Sequence, residues 1–248
     1  TNAIDPMSCE NNFFTMKGLV YTSDGTEYTE LVRQEMGLPE LNGKTMVRLD
    51  ADKAAQYKKQ AMEELSAQGV TFPVGVDFYI SASSQTALDS ANVLAQTFSE
   101  SLGDDFVVLD IGTYVSSIYK EVRNVQLHSI LQNGWGADFG DPVNFLGQET
   151  LHDDNAFYSH YYSNIARVAE APADYQKDLM DAFEQYTDLV NAANAIVNDT
   201  DARYEAFAKA EAYMLENVLV SPTYYDIAWS LTHANEYSKI NAMYGGCN

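Results

Sequence analysis

The chain has 248 residues and carries 36 Asp and Glu against 14 Lys and Arg, a formal net charge of −22. That balance excludes a general nucleic-acid binder, which needs a basic surface to displace counterions, and it opposes docking on anionic lipid. Hydrophobic residues make up 46% and aromatic residues 12%, with 17 Tyr, so the chain can build a packed core rather than stay disordered. No apolar run approaches the ~20 residues of a membrane helix. The two cysteines, Cys9 and Cys247, lie at opposite ends and form no CxxC pair, which gives zinc or thioredoxin-type chemistry little support.

Residues 1–50 show no sustained period. Turn signals at Asp5-Pro6, Ser23-Asp24-Gly25, Leu38-Pro39 and Asn42-Gly43 mark an irregular covering segment. Residues 51–68 read as a helix: Asp50 or Asp52 caps it, and Ala54, Tyr57, Ala61, Met62 and Leu65 form one apolar face. Phe72 to Ser81 alternates as a strand, with Val74, Val76, Phe78 and Ile80 on one face. A second helix is expected over 84–102, a strand over 106–111, a third helix over 113–122 and a strand over 125–132. Alternation of this kind predicts parallel strands joined by helical crossovers. Beyond 140 a short helix is expected near Pro142 to Leu146, then a loop rich in Asp, Asn and Tyr over 147–172. Two long helices follow over 173–195 and 200–217. The second carries an apolar stripe of Tyr204, Phe207, Ala208, Met214 and Leu215. A last strand is expected from Thr223 to Leu231. No repeat or low-complexity tract occurs, and nothing marks an internal boundary.

The densest cluster of chemistry is Asn133 to Phe145, with Trp135, three glycines and the carboxylates of Asp138 and Asp141. One reading is a ligand site at the C-terminal end of a strand, where glycines admit a ligand, the indole gives a flat wall and a carboxylate pairs with a cation. The other is a strand-to-helix turn, with Asp141 or Asn144 as a cap and Trp135 in the core. Residue types alone leave both open. An acid–base pair for glycoside hydrolysis would place Asp138 and Asp141 on opposite sides of a bond, an unusual arrangement for residues three apart in one turn. The four histidines, His128, His152, His160 and His233, show no metal-ligand spacing. Nucleotide-loop and serine-hydrolase motifs are absent.

The run Gly134, Trp135, Ala137, Asp138, Phe139, Asp141, Pro142, Phe145 and Leu146 resembles a hallmark of the family 5 extracellular solute-binding proteins, the peptide-binding components of ABC importers. Arg203 to Glu211 is similar to a late helix of that family, Val220 to Tyr225 to the strand after it, and residues 51–81 to its Asp-x-x-Lys-Ala helix and following strand. The resemblance implies an α/β fold, one lobe of a type II periplasmic-binding-protein fold with a mixed sheet and helices packed on it. It implies that residues 1–248 are a single lobe, the second of two, with the first lobe absent from this chain. The implied function is non-catalytic binding of an oligopeptide between two lobes. The partners would be the missing lobe and a membrane ABC permease, and no nucleic acid. The implied setting is extracellular or periplasmic, with the full-length protein anchored as a lipoprotein; the signal segment and lipid-bearing cysteine would belong to the part not present. Asp138 would pair with the ligand's α-ammonium group, and Trp135, Gly136, Ala137 and Phe139 would line the site. No metal or cofactor is implied. The lobe's two ends would return to one hinge, bringing Cys9 and Cys247 near each other.

Two other classes are weighed. A carboxylate-dependent hydrolase requires Asp138, Asp141 or Glu149 to converge on one pocket. An adhesion module requires a broad exposed aromatic patch. Within the family, sugar, nickel or haem ligands are alternatives to peptide. A lobe without its partner loses half the ligand contacts, so weak or no binding is expected from these 248 residues alone.

Overall fold

The structure, a computed structural model, describes residues 12–39, 50–153, 156–170 and 173–225. In chain order its elements are α1 (Tyr28–Glu35), α2 (Ala51–Ala67), β1 (Val74–Ser81), α3 (Gln85–Leu102), β2 (Val107–Tyr114), a π-helical turn (Tyr119–Arg123), α4 (Val143–Leu146), α5 (Phe157–Tyr161), α6 (Ile165–Val168), α7 (Lys177–Asn194) and α8 (Thr200–Glu216). The chain divides into two compact units. One is Arg48–Asn133, and the other combines Thr1–Val47 with Gly134–Asn248.

The Arg48–Asn133 unit is α/β. Strands β1 and β2 pair in parallel, from Val74 with Val107 to Ser81 with Tyr114. Helix α3 covers one face, where Ala91 is buried with Phe78, Ile80 and Leu109. This is the face that the alternation of β1 assigns to the core. On the other face the Tyr79 ring lies across Gly112, where an added Cβ would stand 2.4 Å from it. Helix α2 starts where expected, with the Asp50 carboxylate accepting from the Lys53 amide at 2.9 Å. Its apolar stripe is only half-buried, and Tyr57 remains exposed.

Two expected elements of this unit do not form. The helix read over 113–122 is pre-empted from both sides. β2 runs on to Tyr114, and the Glu121 carboxylate takes the amides of Val115, Ser116 and Ser117 at 2.8–2.9 Å. Those amides hold the Glu121 carboxyl down at about 2. Only the π-helical turn follows. The strand read over 125–132 is reduced to one contact with β1. The amides of Ser129 and Ile130 both reach the Asp77 carbonyl, while the Asp77 amide donates to Ser129 Oγ at 3.0 Å. A side chain thus stands where a ladder carbonyl would be needed.

The other unit is mainly helical. Helix α7 buries Met180, Phe183, Tyr186, Thr187, Val190 and Ala193 along one stripe. Helix α8, capped by the Asp199 carboxylate on the Ala202 amide at 3.0 Å, buries Phe207, Ala208, Ala210, Glu211, Ala212, Met214 and Leu215. That set runs most of the way round the helix, as befits a helix packed by both α7 and α1. Helix α1 falls in the segment read as irregular. Its N-cap is Glu27, whose carboxylate accepts from the Thr29 amide at 3.0 Å and the Gly18 amide at 2.8 Å. Ahead of it, Tyr21 and Glu27 bridge in antiparallel sense around Gly25, which sits at φ 88° in the expected Ser23-Asp24-Gly25 turn.

Glu211 is the one acidic side chain of α8 enclosed in this core. It accepts from the amides of Phe14 at 2.8 Å and Thr15 at 3.1 Å and from the Thr15 hydroxyl at 2.6 Å. Burial raises its proton affinity, although these donors pull the other way. The contact ties the N-terminal segment to the last helix described. Cys9, Cys247, His233 and most of the strand read over Thr223 to Leu231 lie outside the described residues.

Candidate functional site

The motif lies wholly within the larger unit. It is preceded by irregular chain rather than by a strand, so the strand-end crevice expected from sequence is not the frame of this site. Its organiser is Asn144, on α4 and buried. Asn144 Oδ1 accepts two hydrogen bonds, from Trp135 Nε1 at 2.9 Å and from the Asp138 amide at 2.9 Å. One carbonyl oxygen has lone pairs for both. Two nitrogens bound to one oxygen lie within about 6 Å of each other, so the indole and the Asp138 backbone are held side by side.

The two aspartates of the motif part company. Asp141 caps α4, its Oδ1 accepting from the Val143 amide at 3.0 Å. The same carboxylate meets Arg203 of α8 in a two-pronged pair, Nε to Oδ2 at 2.8 Å and a terminal nitrogen to Oδ1 at 3.0 Å. Arg203 is anchored further by the carbonyls of Ala193, Asn194 and Ile196 and stacks on the Phe207 ring at 4.7 Å. Asp138 is different. Its side chain is exposed, and among the described residues its carboxylate has no hydrogen-bond partner.

Of the other residues singled out from sequence, Gly136 and Phe139 are exposed, Phe139 at 49%. Ala137 is buried at 6% among core side chains, so only its backbone can face a ligand. Trp135 is half-buried and leans on an aromatic group that the sequence reading treated as loop. Its ring centroid is 6.1 Å from those of Phe157 and Tyr158. Helix α5 builds that group by spacing: Phe157 and Tyr161 stand 5.2 Å apart, and Tyr158 and Tyr162 also 5.2 Å. Tyr158 turns inward onto Phe14, 6.4 Å away, whereas Tyr161 is 45% exposed.

Glu149, the third carboxylate of the hydrolase reading, follows α4 and is buried at 6% exposure. Burial pushes its carboxyl up to about 8, and among the described residues it has no ion-pair partner. Nearby, the Tyr186 hydroxyl donates to the Leu146 carbonyl at 2.6 Å and fastens α4 to α7.

Arg203 and Asn144 are the residues sequence reasoning placed wrongly or not at all. The sequence offers Asn144 only as a candidate helix cap and Arg203 only as part of a resembling helix. The scarcity of cations, 14 in 248 residues, was the available hint that a lone Arg opening a helix has a carboxylate to serve.

No protein-family model matches the chain. Oligopeptide-binding protein AliB of Streptococcus pneumoniae is 25% identical over 178 residues, covering 69% of this chain and 26% of AliB. Oligopeptide-binding protein SarA of Streptococcus gordonii is 25% identical over 218 residues, covering 81% of this chain and 31% of SarA. Its relatives are oligopeptide-binding proteins. The chain spans about a quarter to a third of these relatives' length. Among solved structures, the substrate-binding domain of an oligopeptide ABC transporter from Bacillus anthracis superposes with a TM-score of 0.62 at 21% identity, over 88% of this chain and 35% of that one. The likeness places the α/β fold read from sequence among peptide-binding-protein folds. Among the described residues no helix is long and apolar enough to cross a membrane.

Proposed function

We propose that this chain forms one side of an oligopeptide receptor for an ABC importer, and that it binds rather than catalyses. The observation that carries the reading is the division of labour between the two aspartates. Asp141 is consumed by a helix cap and Arg203, while Asp138 stands exposed beside the Trp135 indole, its backbone steadied by Asn144. An exposed carboxylate beside an apolar wall can pair with a peptide's α-ammonium group and discriminate against ligands lacking one. The names of the streptococcal relatives support the ligand class.

In this reading the 248 residues belong to a longer, two-lobed protein outside the cytoplasm, anchored as a lipoprotein. The other lobe closes on the peptide, and a membrane permease receives the closed form. Closure is a population shift driven by ligand contacts with both sides. The hydrolase reading has no comparable support, because Asp141 is tied down and Glu149 is enclosed, leaving Asp138 without a second carboxylate presented to solvent.

The test is a thermal shift of the full-length receptor with a mixed di- to pentapeptide pool, beside Asp138→Ala. Stabilisation grows with ligand concentration over dissociation constant, so a crude pool suffices. A shift with the parent protein that vanishes in the variant is expected. A shift of equal size in both would remove Asp138 from the site, and no shift with any peptide would remove peptide as the ligand.

A further inference from the structure

We propose that Asn133 is a site of spontaneous covalent modification, where the chain exchanges a side-chain amide for a carboxylate through the main-chain nitrogen of Gly134, with water as the co-reactant. Asn133 and Gly134 are both exposed and lie in irregular chain. Asn133 is the last residue of the Arg48–Asn133 unit, and Gly134 opens the motif. Among the described residues, neither the Asn133 side chain nor the Gly134 amide has a hydrogen-bond partner. A Cβ built on Gly134 would meet nothing within 4 Å, so the space that a ring closure needs is open.

Glycine carries no side chain to bar the approach of its own nitrogen to the preceding residue. Hydroxide takes the proton of the Gly134 amide, and the nitrogen's electron pair forms a bond to Asn133 Cγ. The Cγ–Nδ2 bond breaks, and the side-chain nitrogen leaves as ammonia, with a proton returned by water. The cyclic imide then adds water at one of its two carbonyls. Opening at Cγ gives aspartate. Opening at the main-chain carbonyl gives isoaspartate, in which the chain runs through the side-chain carbons. One water is consumed and one ammonia released, and nothing is oxidised or reduced. The product places a new carboxylate two positions before Trp135.

Exposure alone is not the selector. Asn124 and Asn198 are exposed too, but Val125 and Asp199 follow them, and a Cβ on the attacking residue crowds the ring. Asp24-Gly25 closes the same ring with loss of water, yet that pair is fastened. The Gly25 amide donates to the Thr22 carbonyl at 2.9 Å, and Asp24 Oδ1 accepts from Thr22 Oγ1 at 2.6 Å and from the Thr26 amide at 3.0 Å. A nitrogen and a carboxylate each held by other partners are kept from meeting.

The experiment incubates the full-length protein at mildly alkaline pH, with and without urea, and follows each asparagine by peptide mapping and mass spectrometry. Labelling by an isoaspartate-specific methyltransferase separates the two products. In the folded protein Asn133 is expected to convert at a rate matching that in urea, while Asn124 and Asn198 stay intact and Asp24 isomerises only in urea. Gly134→Val, a change at an exposed position, should lose the conversion. Conversion of Asn133 in urea but not in the folded protein overturns the proposal, and so does no conversion in either. Equal conversion at Asn124 or Asn198 makes exposure the cause and overturns the role of Gly134, as does conversion that persists in Gly134→Val. The comparison with and without urea decides the matter on the parent protein if that variant fails to fold.

Discussion

Asp138 and Asp141 sit three residues apart in one turn, yet truncating them should have opposite consequences. Asp141→Ala removes the acceptor of the Val143 amide, a cap worth about 1 kcal/mol. It also strands Arg203, whose side chain is 14% exposed against 22% for Asp141. Removing one member of a largely buried pair costs about 3–5 kcal/mol. The low end applies here, because Arg203 keeps three carbonyls and the Phe207 ring. The combined loss is about 3–4 kcal/mol, a large part of the ~5–15 kcal/mol that holds a folded domain. Asp138→Ala changes an exposed side chain whose backbone amide still donates to Asn144, so its effect on stability should stay within about 0.5 kcal/mol. The assay is urea unfolding followed by tryptophan fluorescence. Trp135 lies in the motif itself, and its fluorescence reports the unit that holds it. The deficit of Asp141→Ala should persist in 1 M salt, since a sheltered pair is screened weakly. Equal destabilisation by both variants, or a loss below about 1 kcal/mol for Asp141→Ala, would refute the assignment of one aspartate to structure and the other to ligand.

Three further outcomes are expected. Glu149 keeps its proton up to about pH 8 when folded but ionises near 4.5 when unfolded, so the folded state binds the extra proton between those values and stability falls as pH rises through that window. The fall amounts to about 5 kcal/mol; Glu149→Gln should abolish it, and parallel pH–stability curves for variant and parent would contradict the burial of this group. Glu211→Ala removes the acceptor of three donors from Phe14 and Thr15, and should cost about 3 kcal/mol and expose both amides to fast hydrogen exchange. Unchanged protection at those two amides would show that the segment is held by something else. Asn144→Leu leaves the Trp135 indole and the Asp138 amide without their shared acceptor, at about 2 kcal/mol, and should weaken peptide binding, whereas Asn144→Asp keeps the acceptor and restores most of the stability. Equal loss in both substitutions would count against the shared hydrogen bond.

The long elements were legible because two local signals agreed in each. Helices α2 and α8 combined an apolar stripe with an Asp cap, and both ends match the expectation to within a residue or so. Helix α1 escaped because its cap is Glu27, a residue outside the usual capping set, and because eight residues hold barely two turns of periodicity. The failures at 113–122 and 125–132 share a cause. In each, a side chain, Glu121 or Ser129, captured backbone groups that the periodic pattern had assigned to an element. At the site, the residue types of the motif were readable but their roles were not. Arg203 reaches Asp141 across 62 positions and Asn144 serves two partners at once, and neither fact leaves a trace in spacing.

The bond between Glu211 and the Thr15 amide spans 196 positions. At a synthesis rate of ~5–20 residues per second, the N-terminal segment emerges from the ribosome roughly 10–40 s before its acceptor exists. The Arg48–Asn133 unit, contiguous in sequence, can complete itself in that interval, while the larger unit must keep its first forty-odd residues waiting. Phe13, Leu19, Val20 and Tyr28 are apolar anchors of the final core and stay uncovered for the whole of that time. The segment from Phe13 to Tyr28 therefore has a built-in interval of vulnerability, set by chain connectivity rather than by the strength of any contact.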